Sequence, residues 1–406
     1  MYMVSRNPKS VLLTKQSTVV PFIVNGQGVF LFELSGSVQS CGLRLHDAAK
    51  ENGLNIVFNE NGIVVNYIPS NEPLIDKKNT MGLSKRAGAY YWVSVDAQNQ
   101  RLIAGVGEAR METALYQHTL PKEAKKFLDS LVAVHLADDS PIVPLKFLRD
   151  PITGPISLFV KNTEDLTMDT VAKGTYLPKA NLSLVSQKLY DCISGKKFVL
   201  NGADFPDFSK AIEYSIATPG CWCNKRLLEK AGEFGKSNPD ETYLRITLGQ
   251  NNGESPGIPY VMEIWPVGHY SPIHNHSAAN AVIRVLNGTI NVALFPFLCC
   301  DTEGIDPFGV TNFKKDDITW ISPTLNQTHQ LTNLKTSNDT CITIQCYMYD
   351  GDDAAHYEYF DYVDTDGKKQ QYEPDSDMDF IQFKELMKQE WASKPRSSWF
   401  AALCCK

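Results

Sequence analysis

The sequence predicts a mainly β protein of two modules: a β-sandwich-like unit over residues 1–180, and a double-stranded β-helix, or jelly-roll barrel, over 183–406 that is entered through helices. Three observations predict it. Apolar and alternating runs of strand length fill both halves and are broken by Gly- and Asn-rich turns. Helical three-to-four spacing is concentrated between about 183 and 234 and in one segment near the end. Two histidines, His274 and His276, stand one residue apart inside a strand-like stretch, with a third, His329, well downstream.

In chain order, VVPFIVNGQGVFLFELSG, LNIVFNENGIVVNYI, AYYWVSVDAQNQRLIAGVG and GPISLFVKN read as strands separated by Asn-Gly, Gly-Gln-Gly and Asn-Glu-Asn-Gly turns, which is sandwich patterning. LYDCISGKKF, FSKAIEYSIA and NKRLLEKAGEF carry apolar residues at helical spacing. KSNPDET breaks that pattern, and β character returns from Tyr243. Asn287-Gly288, after an apolar run, marks a hairpin turn, and DFIQFKELMKQEWA is a closing helix. The acidic DGDD at 350–353 reads as a solvated loop.

Composition removes several function classes. The net charge of −7, with no sustained basic run, argues against a nucleic-acid partner. No stretch of eighteen apolar residues and no apolar leader are present, which predicts a soluble, cytoplasmic protein without a membrane partner. Ten cysteines in 406 residues are too sparse for a disulfide scaffold and predict mostly reduced thiols. Cys221 and Cys223 flank Trp222 in what reads as a loop, Cys299-Cys300 ends a strand, and Cys404-Cys405 reads as an exposed, oxidisable pair. Tyr90-Tyr91-Trp92 is either core or an exposed binding surface, with core favoured.

The chemistry sits in WPVGHYSPIHNHSAANAVIRVLNG, residues 265–288. Alternate residues of a strand share a face, so His274 and His276 can reach one metal ion, and neutral imidazole is the commonest protein ligand for divalent iron, zinc, copper and nickel. His329 completes a three-histidine set. Ser277 to Ala281 contains no Asp or Glu that would add a carboxylate ligand.

From about Ser183 to 385 the chain resembles the cysteine dioxygenase family of thiol dioxygenases, within the cupin superfamily. The resemblance is carried in order by the helical lead-in, Tyr243-Leu244-Arg245, Trp265, Gly268-His269, His274-Asn275-His276, Leu286-Asn287-Gly288, His329 with Asn333, and Tyr347. It implies a cupin barrel holding one Fe(II) on His274, His276 and His329, and oxidation of L-cysteine by O2 to cysteine sulfinate. It also implies that Arg245 clamps the substrate carboxylate, that Tyr243 supports Arg245 or reaches the same carboxylate, and that the Tyr347 hydroxyl bonds substrate or oxygen. A planar guanidinium suits that clamp better than Lys or Gln.

Departures and alternatives accompany the resemblance. Gln345 stands where the family often has a histidine, and Ala281 where animal enzymes have a cysteine that cross-links the tyrosine, so no cross-link is expected. Arg245 is alternatively an ordinary salt-bridged arginine, and Tyr347 an ordinary strand aromatic like Tyr349. His269 falls out of the metal-facing register, and His46, His118, His135 and His356 have no assignable partners. The rival function is a non-catalytic cupin serving binding or regulation; a further one is oxidation of another small thiol such as 3-mercaptopropionate. The N-terminal module is of unknown role and could bind a carbohydrate, a protein partner or the dioxygenase module itself.

Overall fold

The computed structural model describes residues 9–12, 18–34, 38–78, 82–83, 89–137, 144–249, 260–298, 306–349 and 360–395. Cys299-Cys300, DGDD at 350–353, His356 and Cys404-Cys405 lie outside the described residues.

In the first half the strands are β1 (Lys9–Leu12), β2 (Val20–Pro21), β3 (Gln27–Leu34), β4 (Ser40–His46), β5 (Gly53–Asn59), β6 (Gly62–Ile68), β7 (Pro73–Lys78), β8 (Ala89–Asp96), β9 (Arg101–Val106), β10 (Ala114–Thr119), β11 (Ala133–Leu136) and β12 (Pro144–Leu148). They form two six-stranded sheets, β1-β12-β3-β8-β9-β10 and β2-β11-β4-β5-β6-β7. Period-two alternation decides which side chains enter the core: Leu54, Ile56 and Phe58 of β5 and Ile63 and Val65 of β6 are buried, while Asn55 and Val57 between them are less so. The β5–β6 turn runs through Asn59-Glu60-Asn61-Gly62, with Gly62 at φ +144°, open mainly to glycine. Tyr91 and Trp92 are fully buried, so the aromatic triplet is largely core.

The segment GPISLFVKN supplies only a two-residue strand, β13 (Val160–Lys161), parallel to β14 (Leu177–Pro178). Pro155 has no N–H for a ladder, and the Ser157 hydroxyl takes the Phe159 amide and donates to the Thr175 carbonyl, diverting the backbone from sheet pairing.

Short helices α1 (Ala124–Asp129) and α2 (Met168–Lys173) precede the lead-in, which is α3 (Leu184–Ile193), α4 (Phe208–Ala217) and α5 (Trp222–Glu229). Ser183 starts α3 by accepting the Ser186 amide, leaving Leu189, Tyr190 and Ile193 on the buried face. Contrary to the loop expected for Cys221 and Cys223, Cys221 is the N-cap of α5 and Cys223 is buried within it, 3.9 Å from the Met387 sulfur. Met387 and Phe383 belong to the expected closing helix, α6 (Phe380–Ala392), and are fully buried where it packs on α4.

The second half adds β15 (Leu244–Thr247), β16 (Tyr260–Trp265), β17 (His274–Asn275), β18 (Asn280–Asn287), β19 (Thr289–Leu294), β20 (Gly309–Lys314), β21 (Ile318–Ile321), β22 (Thr328–Thr332), β23 (Cys341–Met348), β24 (Phe360–Val363), β25 (Lys369–Tyr372) and β26 (Met378–Asp379). The sheets are β21-β18-β23-β16-β15-β26 and β20-β19-β22-β17-β24-β25. Counting β16 to β23 as strands one to eight, the pairs are one–eight, two–seven, three–six, three–eight, four–five and four–seven. That is the double-sheet jelly roll, or double-stranded β-helix.

The hairpin expected at Asn287-Gly288 is instead a corner. β18 and β19 lie in different sheets, and Gly288, at φ +70°, turns the chain from one into the other. A Cβ there would meet the Thr340 carbonyl oxygen at 2.8 Å. Asn-Gly satisfies either geometry because both need positive φ, and the pairing partners decide between them.

The N-terminal half repeats this strand plan. With β1, β2, β3, β4, β5, β8, β11 and β12 as strands one to eight, the same six pairings occur, and β6–β7 and β9–β10 merely extend the two sheets. The sandwich-like module is thus a second jelly roll.

Candidate metal centre

His274 and His276 leave β17 into the interior of the second roll, and His329 on β22 is paired directly with His274 in the ladder. One ring nitrogen from each lies within 4.8 Å of the others. A triangle of that side puts its centre ~2.8 Å from each nitrogen, so shifts of ~0.7 Å reach an ordinary metal–nitrogen bond of ~2.1 Å. His274 Nδ1 bonds the Pro272 carbonyl at 3.0 Å and His329 Nδ1 the Asn326 carbonyl at 3.1 Å, which fixes the tautomer and leaves both Nε2 atoms as donors toward the cup. His276 packs on Tyr347 and Phe360.

Burial, then the charge of neighbouring imidazoles, holds His274 and His276 well below the usual histidine pKa. Burial pushes His329 down to about 4. All three are therefore neutral near pH 7, the form that binds metal. Glu263 is the carboxylate on the cavity wall, and it is already engaged by Arg245, so the donor set that fits an ion is three imidazoles.

The cavity encloses ≈ 60 Å³. One water needs ~10–15 Å³ on that measure, so there is room for a ligand the size of a few waters. All six residues singled out from the sequence line it: Tyr243, Arg245, His274, His276, His329 and Tyr347. Apolar side chains such as Ile283, Val285 and Phe313 form much of the rest and exclude solvent.

Arg245 on β15 and Glu263 on β16 are cross-strand partners, with Nη1–Oε1 at 3.0 Å and side chains only 10% and 7% exposed. Arg245 is thus salt-bridged and also lines the cavity. Burial opposes its charge, but Tyr347 and Glu263 outweigh that and raise its pKa. Burial, reinforced by the Glu263 charge, raises the Tyr347 pKa, so its hydroxyl keeps its proton beside the guanidinium. Tyr243 stacks on Trp265 with centroids 4.2 Å apart, which locks it in the wall. Gln345 lies beside Glu263, and its side-chain amide favours the charged form of that carboxylate. Ala281 sits directly opposite Tyr347 in the β18–β23 ladder, offering a methyl where the resemblance would place a thiol.

His269 stays outside the cavity, with Nδ1 against the Thr242 hydroxyl and carbonyl, and Asn333 ties the Trp265 and Asp339 carbonyls together. His46 and His135, left unpartnered from the sequence, pack on each other 4.9 Å apart in the first roll. Sequence reasoning missed Glu263, Asn326 and Gln327. Glu263 is a lone acid in the apolar run YVMEIW, a signal that a buried Arg245 would have explained. Gln327 accepts the His276 amide through Oε1 at 3.2 Å and donates to Ala279 and Ser322 carbonyls.

The matching strand plan lets the two rolls be compared position by position. Val20 pairs with Val134 as His274 pairs with His329, and Phe22 stands two residues after Val20 as His276 stands after His274. Val20, Phe22 and Val134 are all buried in the core of the first roll. The cup of one roll is filled with hydrocarbon and that of the other is lined with imidazoles.

A jelly roll with three histidines gathered between its sheets is a double-stranded β-helix carrying a group that could hold a metal ion. No protein-family model matches the chain. Among solved structures it is similar to the cupin domain of Schizosaccharomyces pombe Cnp3 (14% identity, 27% of this chain and 65% of that one, TM-score 0.21). It is also similar to the polyketide cyclase RemF of Streptomyces resistomycificus (13%, 26% and 63%, 0.20) and to a double-stranded β-helix protein of Klebsiella pneumoniae (17%, 33% and 89%, 0.22). The chain spans less than two thirds of the first two. These likenesses are local, and the fold is assigned from the strand pairings. No helix among the described residues is long and apolar enough to cross a membrane.

Proposed function

We propose that the chain is an Fe(II)-dependent thiol dioxygenase that converts L-cysteine and O2 into cysteine sulfinate. The observation that carries this reading is the carboxylate-free set His274, His276 and His329 in a small cavity shared with Arg245 and Tyr347. His274, His276 and His329 would hold ferrous iron as neutral imidazoles, and the bound ion would supply an undiminished +2 charge that favours a thiolate over a thiol.

The remaining work belongs to side chains. A guanidinium has five donors, and Arg245 gives one to Glu263, which leaves others for a substrate carboxylate. Glu263 in turn favours a ligand whose amino group offsets its carboxylate, so cysteine suits the wall better than the simple anion 3-mercaptopropionate. The protonated Tyr347 donates a hydrogen bond across the cup. The apolar lining keeps bulk water from the reacting sulfur. Both oxygen atoms of O2 end on sulfur, and no external reductant is consumed.

The test is oxygen consumption by iron-loaded protein with L-cysteine, with mass spectrometry of the product. One O2 consumed per cysteine, giving a product heavier by two oxygen atoms, is expected. No turnover by protein shown to hold iron would overturn the reading in favour of another thiol or of a non-catalytic binding role.

A further inference from the structure

The first roll reaches the metal cup through one loop. After β9 the chain passes Gly107 to Glu112, and the buried Glu108 carboxylate accepts two amides of the second roll, Asn326 N on Oε2 at 2.8 Å and Gln327 N on Oε1 at 2.7 Å. Arg110, 1% exposed, donates from Nη1 to Asn326 Oδ1 at 2.6 Å. Asn326 turns the chain at φ +62°, a left-handed conformation that asparagine tolerates better than most non-glycine residues. Its carbonyl accepts the His329 Nδ1 hydrogen, and Gln327 holds the His276 amide.

Resting on the metal-site reading above, we propose that Glu108 is a positioning residue for the metal centre, and that the first roll, its own cup filled by Val20, Phe22 and Val134, serves to orient the ligands of the second. Both carboxylate oxygens are used on consecutive amides, which pins the turn whose carbonyl aims His329. A glutamine has one acceptor oxygen in place of two, so Glu108→Gln keeps the shape and loses one of the two bonds.

Cobalt(II) is the probe, because its visible spectrum reports ligand geometry. Metal-free wild type, Glu108→Gln and Glu112→Gln are titrated with cobalt(II), with circular dichroism as a folding check. Glu112 touches Arg110 but not the Asn326 or Gln327 amides, and serves as the control. Glu108→Gln is expected to weaken cobalt binding about ten- to hundredfold and to shift the spectrum, as loss of a partner behind a metal ligand does. Glu112→Gln should stay within about twofold of wild type. A second measurement needs no variant: if the loop positions the ligands, reciprocity requires cobalt to slow amide hydrogen exchange in residues 107–113 of wild type. Normal cobalt uptake with unchanged Glu108→Gln affinity, or no change in exchange at 107–113, overturns the positioning role alone. Wild type that takes up no cobalt overturns the metal site as well.

Discussion

The Arg245–Glu263 pair gives the most direct test of how this cavity is built. Its side chains are 10% and 7% exposed and its charged atoms 3.0 Å apart, so it falls with buried ion pairs and not with surface ones. Surface pairs contribute ~0–1 kcal/mol, whereas removing one partner of a buried pair costs about 3–5 kcal/mol because the other charge is left without compensation. Arg245→Gln and Glu263→Gln should each destabilise by about that amount. The double variant leaves two neutral amides facing each other and should lose only about 1–3 kcal/mol. The cycle therefore predicts a coupling of at least ~3 kcal/mol. Urea unfolding at pH 7.5, followed by tryptophan fluorescence, measures all four proteins. Single losses below ~1 kcal/mol that add within ~0.5 kcal/mol would refute the argument, and with it the claim that Glu263 neutralises the arginine inside the cavity.

Other outcomes follow from the same geometry. His274→Ala or His329→Ala should release most of the bound iron, read by elemental analysis; unchanged iron content in either would remove that residue from the ligand set. Arg245→Gln should raise KM for cysteine more than for cysteamine, which lacks the carboxylate, and equal effects in steady-state assays would end the clamp assignment. Burial pushes the Glu241 carboxyl up to about 7, so the fold favours its neutral form: that contribution is complete below about pH 4.5 and lost as pH rises through 7. Glu241→Gln should therefore stabilise the protein at pH 8 by about 1–2 kcal/mol, roughly half the ~3.4 kcal/mol of the full displacement because the group is partly solvated. At pH 5 the gain should shrink to below ~0.5 kcal/mol, and thermal unfolding at both pH values decides.

What the sequence made legible was local. Period two along a strand put His274 and His276 on one face, and helical spacing located α3 to α6, because both patterns depend on neighbours in the chain. The joining of Arg245 to Glu263 depends on the β15–β16 register, and Glu108 meets Asn326 across 218 residues, with no periodicity to mark either contact. The second jelly roll was hidden for a related reason. Its identity lies in long-range pairing order, and at the positions that would have announced it, Val20, Phe22 and Val134 read as ordinary apolar strand residues. Gly288 misled because positive φ is common to hairpins and to corners between sheets.

The hydrocarbon filling of the first roll also bears on the order of assembly. A core of Val20, Phe22 and Val134 needs no ion, so that roll can fold as soon as its strands have been synthesised. The last strand of that roll, β12, ends at Leu148, 326 − 148 = 178 residues before Asn326. At ~5–20 residues per second these take ~9–36 s to make, ample time for an N-terminal domain to fold first. If Glu108 positions the metal centre as proposed, the histidine cup is expected to close against a carboxylate already in place, with the early half of the chain as the template for the late half.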